Sequence, residues 1–407
     1  MEERSKLDDL LMRSGRGPLS GIVVADFGRV LAGPYCTMFL ADMGATVIKV
    51  ESPAGDETRA WMPPAHEGES TYYLSINRNK LSVKLDFGDP ADLQVARKLA
   101  ARADIVVENF KPGGLEKFGL DYASVVAGNP SVIYASITGF GTSGGANLPG
   151  YDLLVQAASG LMSLTGSPET EPFRAGVAVV DVFTGMHACI GVLAALAHRR
   201  ATGEGQRVEV NLMSSALSGL VNQTGAYVIA GVVPTRMGNE HPSIYPYEPI
   251  ATGQGEIVLA IGNDRQFRAL CQELGTPELL TDPRFALAPD RSLNRLELRP
   301  LLETALAGAT AAEWFERLTE AGIPCAPIQD VAAGVQFAER IGLNPIIRAG
   351  SGSESLPGIR NPITFSQTPA TYDKAPPALG ADSDLVRNWL VVREDARTTQ
   401  RAERETA

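Results

Sequence analysis

The sequence predicts an α/β protein: a large domain built on a Rossmann-like parallel sheet, with a second, smaller α+β domain. Three observations lead there. From Ile22 to Phe140, apolar strand-like runs alternate with helical patterns, the signature of βαβ units with right-handed crossovers. At 407 residues the chain exceeds one ordinary core and calls for about two domains. A stretch with four prolines, VVPTRMGNEHPSIYPYEPI, then breaks regular structure and reads as a crossing loop into the second domain.

The elements follow in order. IVVADFG is a buried strand, PYCTMFLADMG a helix and TVIKVE a second strand. SVKLDF is the next strand, followed by the helix DPADLQVARKLAARA with Asp89 ahead of Pro90 at its start, and by the strand DIVVENF. KPGGLEKFGLDYASVVAGNP gives a glycine-rich turn with short helices, and VIYASITGF a strand. A strand follows in TGEGQRVEVNLMSS and a helix in SALSGLVNQTGAYVIAG. The second domain opens with the strand EIVLAIGN and the helix DRQFRALCQELG. It continues as helices through LNRLELRPLLETALAG and AAEWFERLTEAG, and closes with IPCAPIQDV. LNPIIRAG and IRNPITF read as strands, SDLVRNWLV as a last helix, and the charged tail REDARTTQRAERETA as frayed.

Composition narrows the function. With 44% hydrophobic and 20% charged residues the chain reads as soluble and globular, and a net charge of −11 argues against a general nucleic-acid or anionic-membrane surface. The charged segment MEERSKLDDLLMRSGRGPLS carries no secretory signal pattern, and a cytoplasmic location is expected. Cys36, Cys189, Cys271 and Cys325 form no CxxC pair and are expected to be buried free thiols, with no metal site. The turn FGRVLAGP lacks GxGxxG, and no GxxxxGK[ST] occurs, so the nucleotide fingerprints are missing. In open α/β sheets ligands bind outside the carboxyl ends of strands, which nominates Asn109-Phe110 and Thr138-Gly139-Phe140.

The segment VFTGMHACIGVLAALA, apolar nearly all round, predicts a helix buried on every side with Asp181 at its mouth. Two roles are open to Asp181. It is an N-cap for the orphan N–H groups, or a carboxylate kept ionised by those groups and poorly hydrated, able to attack an activated acyl group.

Five stretches carry a family likeness: VLAGPYCTMFLADMGATVIKVESPAGDETR, NRNKLSVKLDF, VENFKPGGLEKFGLDY, DVFTGMHACIGVLAAL and GNDRQF. In this order and spacing the chain resembles the family III CoA-transferases, the formyl-CoA and carnitine type, from about Pro18 to Leu390. The resemblance implies a large domain over residues 1–232, a linker and small domain over 233–335, and a return to the large domain over 336–407. It also implies ring-shaped subunits interlocked as a homodimer, acting on acyl-CoA and carboxylic acids with no tightly bound cofactor.

The family's nucleophilic aspartate falls on Asp181, which would form an acyl anhydride with the donor and then an aspartyl-CoA thioester. Residues that would line the CoA site are Leu31, Ala32, Ser52, Leu85, Asn109, Phe110, Lys111, Lys117 and Tyr151, with Lys117 pairing with a phosphate. The chain departs from the formyl type at Leu31, where a glutamine stands, at Ser52, where an arginine stands, and in having HPSIYPYE in place of a tetraglycine loop.

The α-methylacyl-CoA racemases share this fold but carry a GHD motif, whose histidine supplies a second acid/base; this chain reads Gly150-Tyr151-Asp152. A tyrosine with a pKa of about 10 replaces histidine poorly, so transfer is favoured. A racemase and a noncatalytic CoA-binding protein are the alternatives. HPSIYPYEPI and GNDRQF look most like members that move CoA between dicarboxylates, succinyl-CoA being the expected donor. Tyr151, Asp152, Arg236, His241 and Tyr245 are the candidate substrate ligands, the last three for a distal carboxylate.

Overall fold

The computed structural model describes residues 17–391, so the segment before Gly17 and the tail REDARTTQRAERETA lie outside the described residues. The chain divides into two compact units: one takes the residues up to Leu161, Ala175–Ala230 and those from Asn344 onward, the other Met162–Arg174 and Gly231–Leu343. The excursion Met162–Arg174 falls outside the expected 233–335 range; Gly238 N donates to Gly166 O at 3.0 Å and ties it to the second unit. The return begins at Asn344, not at 336, because the helix Val331–Arg340 stays with the second unit, its Phe337 ring 6.0 Å from that of Phe315.

In the first unit β1 (Val23–Asp26), β2 (Thr46–Glu51), β3 (Lys80–Lys84), β4 (Ile105–Glu108), β5 (Ile133–Thr138) and β6 (Gln206–Asn211) form one sheet in the order β3-β2-β1-β4-β5-β6. Every pairing is parallel. Successive side chains alternate faces. Val24, Val47, Ile105 and Ile133 therefore feed one core and Val23, Ile48, Val106 and Tyr134 the other. Burial on both faces is why these strands read as continuous apolar runs.

Helices α1 (Ala32–Asp42), α2 (Pro90–Arg102), α3 (Asp152–Ala158), α4 (Val179–Thr202), α5 (Leu212–Gly219) and α6 (Val221–Ala230) complete this unit with shorter turns. Asp89 caps α2 by accepting from Ala91 N and Asp92 N, with Pro90 in the first turn where no N–H is needed. α1 and α4 cover the first face, and α2 with the helix over 383–391 (Val386, Trp389, Leu390) covers the second. α1 and α4 meet where Gly185 leaves room: a Cβ there would lie 2.7 Å from Ala32 O. One turn along each helix, the buried thiols of Cys36 and Cys189 are hydrogen-bond neighbours, so two cysteines remote in sequence meet in the core. Cys325 is only half-buried.

Four sequence expectations are corrected. α4 is long and apolar enough to span a membrane, but one face packs on the sheet while Met186 and Ile190 on the other stand 45% and 59% exposed, so it is not buried on every side. The helix expected over SALSGLVNQTGAYVIAG breaks in two at Val221, whose φ of 35° a continuous helix cannot contain. IRNPITF is not a strand beyond Ile359, because Pro362 has no N–H to give a ladder and the Asn361 N–H donates instead to the Tyr372 hydroxyl at 3.0 Å. The proline loop ends in an ordered strand, β7 (Tyr247–Ala251), which pairs antiparallel with β8 (Glu256–Ala260) in the three-stranded sheet of the second unit.

Buried ion pairs hold the carboxyl ends of the central strands. Lys80 Nζ meets Asp26 Oδ2 at 3.1 Å and Pro34 O at 2.9 Å. Lys49 Nζ meets Asp56 Oδ2 at 2.7 Å and Gly28 O at 2.9 Å. Burial pushes the Asp56 carboxyl up, but Lys49 and the Thr58 donors outweigh it and hold the group below its usual range. Asp56 Oδ1 also accepts from Val30 N at 3.3 Å, where the chain takes a φ of 65°. A β-branched residue in that region costs on the order of 1–3 kcal/mol and persists only when its surroundings over-determine it.

Removing one member of such a pair leaves a buried charge alone. Lys49→Met is expected to lower stability by about 3–5 kcal/mol in chemical denaturation, with most of the loss recovered in Lys49→Met/Asp56→Leu. A single variant as stable as the wild type would show that the pair does not hold this turn.

Candidate active site

The strand order reverses between β1 and β4, and the chain leaves both strands at the same edge. Such a switch point opens a crevice outside the strands' carboxyl ends. Asn109, just past β4, spans it: its Oδ1 accepts from Arg29 N at 2.9 Å and its Nδ2 donates to Arg29 O at 2.7 Å. The amide expected to line a CoA site is therefore first a brace between two strand exits.

A cavity of about 380 Å³ opens here, and Leu31, Ala32, Asn109, Phe110, Lys111, Tyr151 and Asp181 line it together with Arg29, Glu57 and the turn Gly139-Phe140-Gly141. A second cavity of about 490 Å³ takes in Ser52, Leu85, Phe118 and residues 53–57. Arg29, Glu57 and Phe110 border both. The Arg29 guanidinium lies 4.7 Å over the Phe110 ring and 3.3 Å from Glu57 Oε1, a partition between the two spaces. Lys117 lines neither; it is exposed, its Nζ 4.7 Å from the ring of Phe118.

Asp181 lies in the first turn of α4 and is not its cap. Ala178 holds the cap position without a side-chain bond, and the carboxylate that receives the helix N–H groups belongs to Asp152. Its Oδ2 accepts from Val180 N at 2.8 Å and Asp181 N at 3.2 Å. Asp152 is thus neither free for a substrate nor a wall of the cavity. The segment is braced by buried Gln156, whose Nε2 donates to Asp152 Oδ1 and to Val177 O and whose Oε1 accepts from Ala175 N. Close contact of Gly139 with Gly150 brings the start of α3 to this point: a Cβ on Gly139 would stand 2.3 Å from Gly150 Cα.

With the N–H groups taken, no group among the described residues donates a hydrogen bond to the Asp181 carboxyl. Burial, and then the charge of Asp152, raise its pKa to about 7. The helix end does not hold Asp181 ionised, as one sequence reading had it; at neutral pH the group is poised between its two forms. The Tyr72 hydroxyl is pushed up to about 12 by burial and by the charges of Asp181, Asp152 and Asp56.

The remaining candidates lie in the second unit. Arg236 donates to Ser167 O at 3.2 Å and Ser163 O at 3.3 Å and borders a cavity of about 450 Å³. His241 packs against Tyr247 with ring centroids 5.2 Å apart, and Tyr245 is 2% exposed beneath the Arg295 guanidinium. Of the three only Arg236 lines that cavity. His187 Nδ1 is 3.0 Å from Ser215 Oγ, and neither His187 nor His241 lines the cavity of Asp181. Among the described residues no three His, Cys, Asp or Glu side chains converge to hold a metal ion. Sequence reasoning missed Arg29, Glu57 and Gln156; only for Arg29, directly after β1 at the switch point, did a local signal exist.

The family described as CoA-transferase family III matches residues 19–383. Over 380 residues the chain is 43% identical to a succinate–glutarate CoA-transferase of Agrobacterium fabrum, covering 91% of this chain and 94% of that one. Over 354 residues it is 37% identical to an acetyl-CoA:oxalate CoA-transferase of Acetobacter aceti, covering 86% and 90%. The crystal structure of a CAIB/BAIF family protein from Brucella suis superposes with a TM-score of 0.82 at 41% identity, covering 92% of this chain and all of that one.

A carboxyl whose pKa is raised on folding favours the folded state at low pH and loses that contribution as pH rises through the folded value. Asn cannot ionise. Asp181→Asn is therefore expected to be more stable than the wild type at pH 8, on the order of 2 kcal/mol after discounting for partial exposure, and by much less at pH 5. Thermal unfolding at the two pH values checks the sign; a gain larger at pH 5 would contradict it.

Proposed function

The chain belongs to CoA-transferase family III, and from that premise we propose that it moves CoA from succinyl-CoA, or a similar thioester, to a second dicarboxylate through covalent intermediates on Asp181. The single observation that supports this most is a poorly hydrated carboxyl, free of hydrogen bonds, on the wall of the switch-point cavity. The curated relatives named for succinate, glutarate and mesaconate support the dicarboxylate class.

In the proposed sequence an ionised Asp181 oxygen attacks the donor's thioester carbon and expels CoA thiolate, leaving a mixed anhydride. The thiolate then attacks the Asp181 carbonyl and expels the donor acid, leaving an aspartyl-CoA thioester. The acceptor carboxylate attacks that carbonyl and displaces thiolate. The thiolate takes the acceptor's acyl carbon and frees Asp181. Each step exchanges one acyl bond for another, so the thioester's free energy is conserved if water is kept out. CoA would thread past the Arg29–Phe110 partition, its thiol end beside Asp181 and its remainder toward Ser52, Leu85 and Lys117.

We further propose a homodimer, interlocked as the family resemblance implies. Its support is the exposed apolar face of α4 and α6, where Ile190, Val228 and Ile229 stand in water in the single chain.

Incubation with succinyl-CoA followed by hydroxylamine is expected to leave a hydroxamate confined to the peptide carrying Asp181. Asp181→Ala should lose both the adduct and, by at least on the order of 10³-fold, turnover. A protein that binds CoA yet gives no adduct with any acyl-CoA would sink the covalent mechanism. For the assembly, Ile190→Asp should convert a dimer to a monomer in sedimentation velocity; an unchanged dimer would place the interface elsewhere.

A further inference from the structure

Asp152 presents a carboxylate to the N-terminus of a helix that it does not belong to. It accepts from the two N–H groups, Val180 and Asp181, that an N-cap of α4 itself would otherwise take up. Gln156, fully buried, fixes the other oxygen and ties it to Val177 O and Ala175 N, on the segment that leads into α4. The nucleophile's own backbone thus hangs on the neighbouring acid, while its carboxyl stays unbonded on the cavity wall.

We propose that Asp152 is a positioning residue for Asp181: it anchors the nucleophile's backbone and leaves the attacking oxygens without hydrogen bonds. Its charge adds to burial, the larger cause, in opposing ionisation of Asp181. This rests on the reading of Asp181 as nucleophile. A hydrogen-bonded carboxylate would lose reactivity with each donor it accepts; one with its donors diverted to a neighbour keeps its lone pairs for the acyl carbon. Burial, and then the charge of Asp152, oppose ionisation, so Asp181 works as a base-form nucleophile only toward neutral and higher pH.

The other charged and titratable groups around Asp181 are few. Tyr72 feels the charges of both acids, and the cavity wall adds Arg29, Glu57, Lys111 and Tyr151. α1 presents Tyr35 to Gly185, a turn further along α4.

The test is the pH profile of single-turnover acylation, read as hydroxamate on the Asp181 peptide, in the wild type, Asp152→Asn and Asp152→Ala. Asn retains an acceptor for Val180 N and Asp181 N, and Gln156 keeps Val177 O when it loses the carboxylate. The wild type should acylate with a midpoint near neutrality. Asp152→Asn should move the midpoint down by at least about half a pH unit while retaining most of the plateau rate. Asp152→Ala should show the same shift with a plateau at least about tenfold lower, since it also loses the anchor. A purely structural cap predicts an unshifted midpoint in Asp152→Asn, and that result would overturn the proposal. If neither variant folds, the wild-type profile decides: a midpoint in the ordinary carboxylate range would overturn it. Absence of any adduct in the wild type would instead reject the nucleophile reading itself.

Discussion

The ion pair between Lys49 and Asp56, 2.7 Å apart and shut off from water on both sides, carries the cavity end of the first unit. Lys49 also holds Gly28 O and Asp56 holds Val30 N, so the pair grips the turn between β1 and α1 at two backbone points. That turn contains a valine in the left-handed region and delivers Leu31 and Ala32 to the cavity. Buried charges are costly unless their remaining bonding capacity is met. Here it is met by the backbone whose shape the site needs.

From that turn the constraint passes to Asp181 through helix packing. Ala32 O faces Gly185, and no other residue would let α1 approach α4 so closely. The same device operates on the opposite side, where the backbones of Gly139 and Gly150 touch and bring Asp152 to the head of α4. Asp181 is thereby located by two glycine contacts and one carboxylate from another helix, none adjacent to it in sequence.

The arrangement costs stability. Asp181 lies in a half-buried position without the bonds that usually accompany a carboxylate there, and its pKa of about 7 measures the penalty of ionising it. The apolar outer face of α4 is a second such cost, since one face of the helix packs on the sheet while Ile190 on the other stands in water in the single chain.

The sequence by itself determined the sheet, because runs such as TVIKVE and DIVVENF between amphipathic helices leave a doubly wound parallel arrangement as the economical way to bury both strand faces. It also placed an acid at the head of an apolar helix and nominated the strand ends that line the cavity. Only the tertiary structure decided which acid caps that helix, that Asn109 braces the switch point, that Cys36 meets Cys189, and that Tyr245 is enclosed in the second unit's core. The physical reason is common to all four. Periodicity reports which side of an element is dry, whereas the partner of a polar group is whatever the fold brings within about 3 Å, and that partner stands 29 residues away for Asp181 and 80 for Asn109.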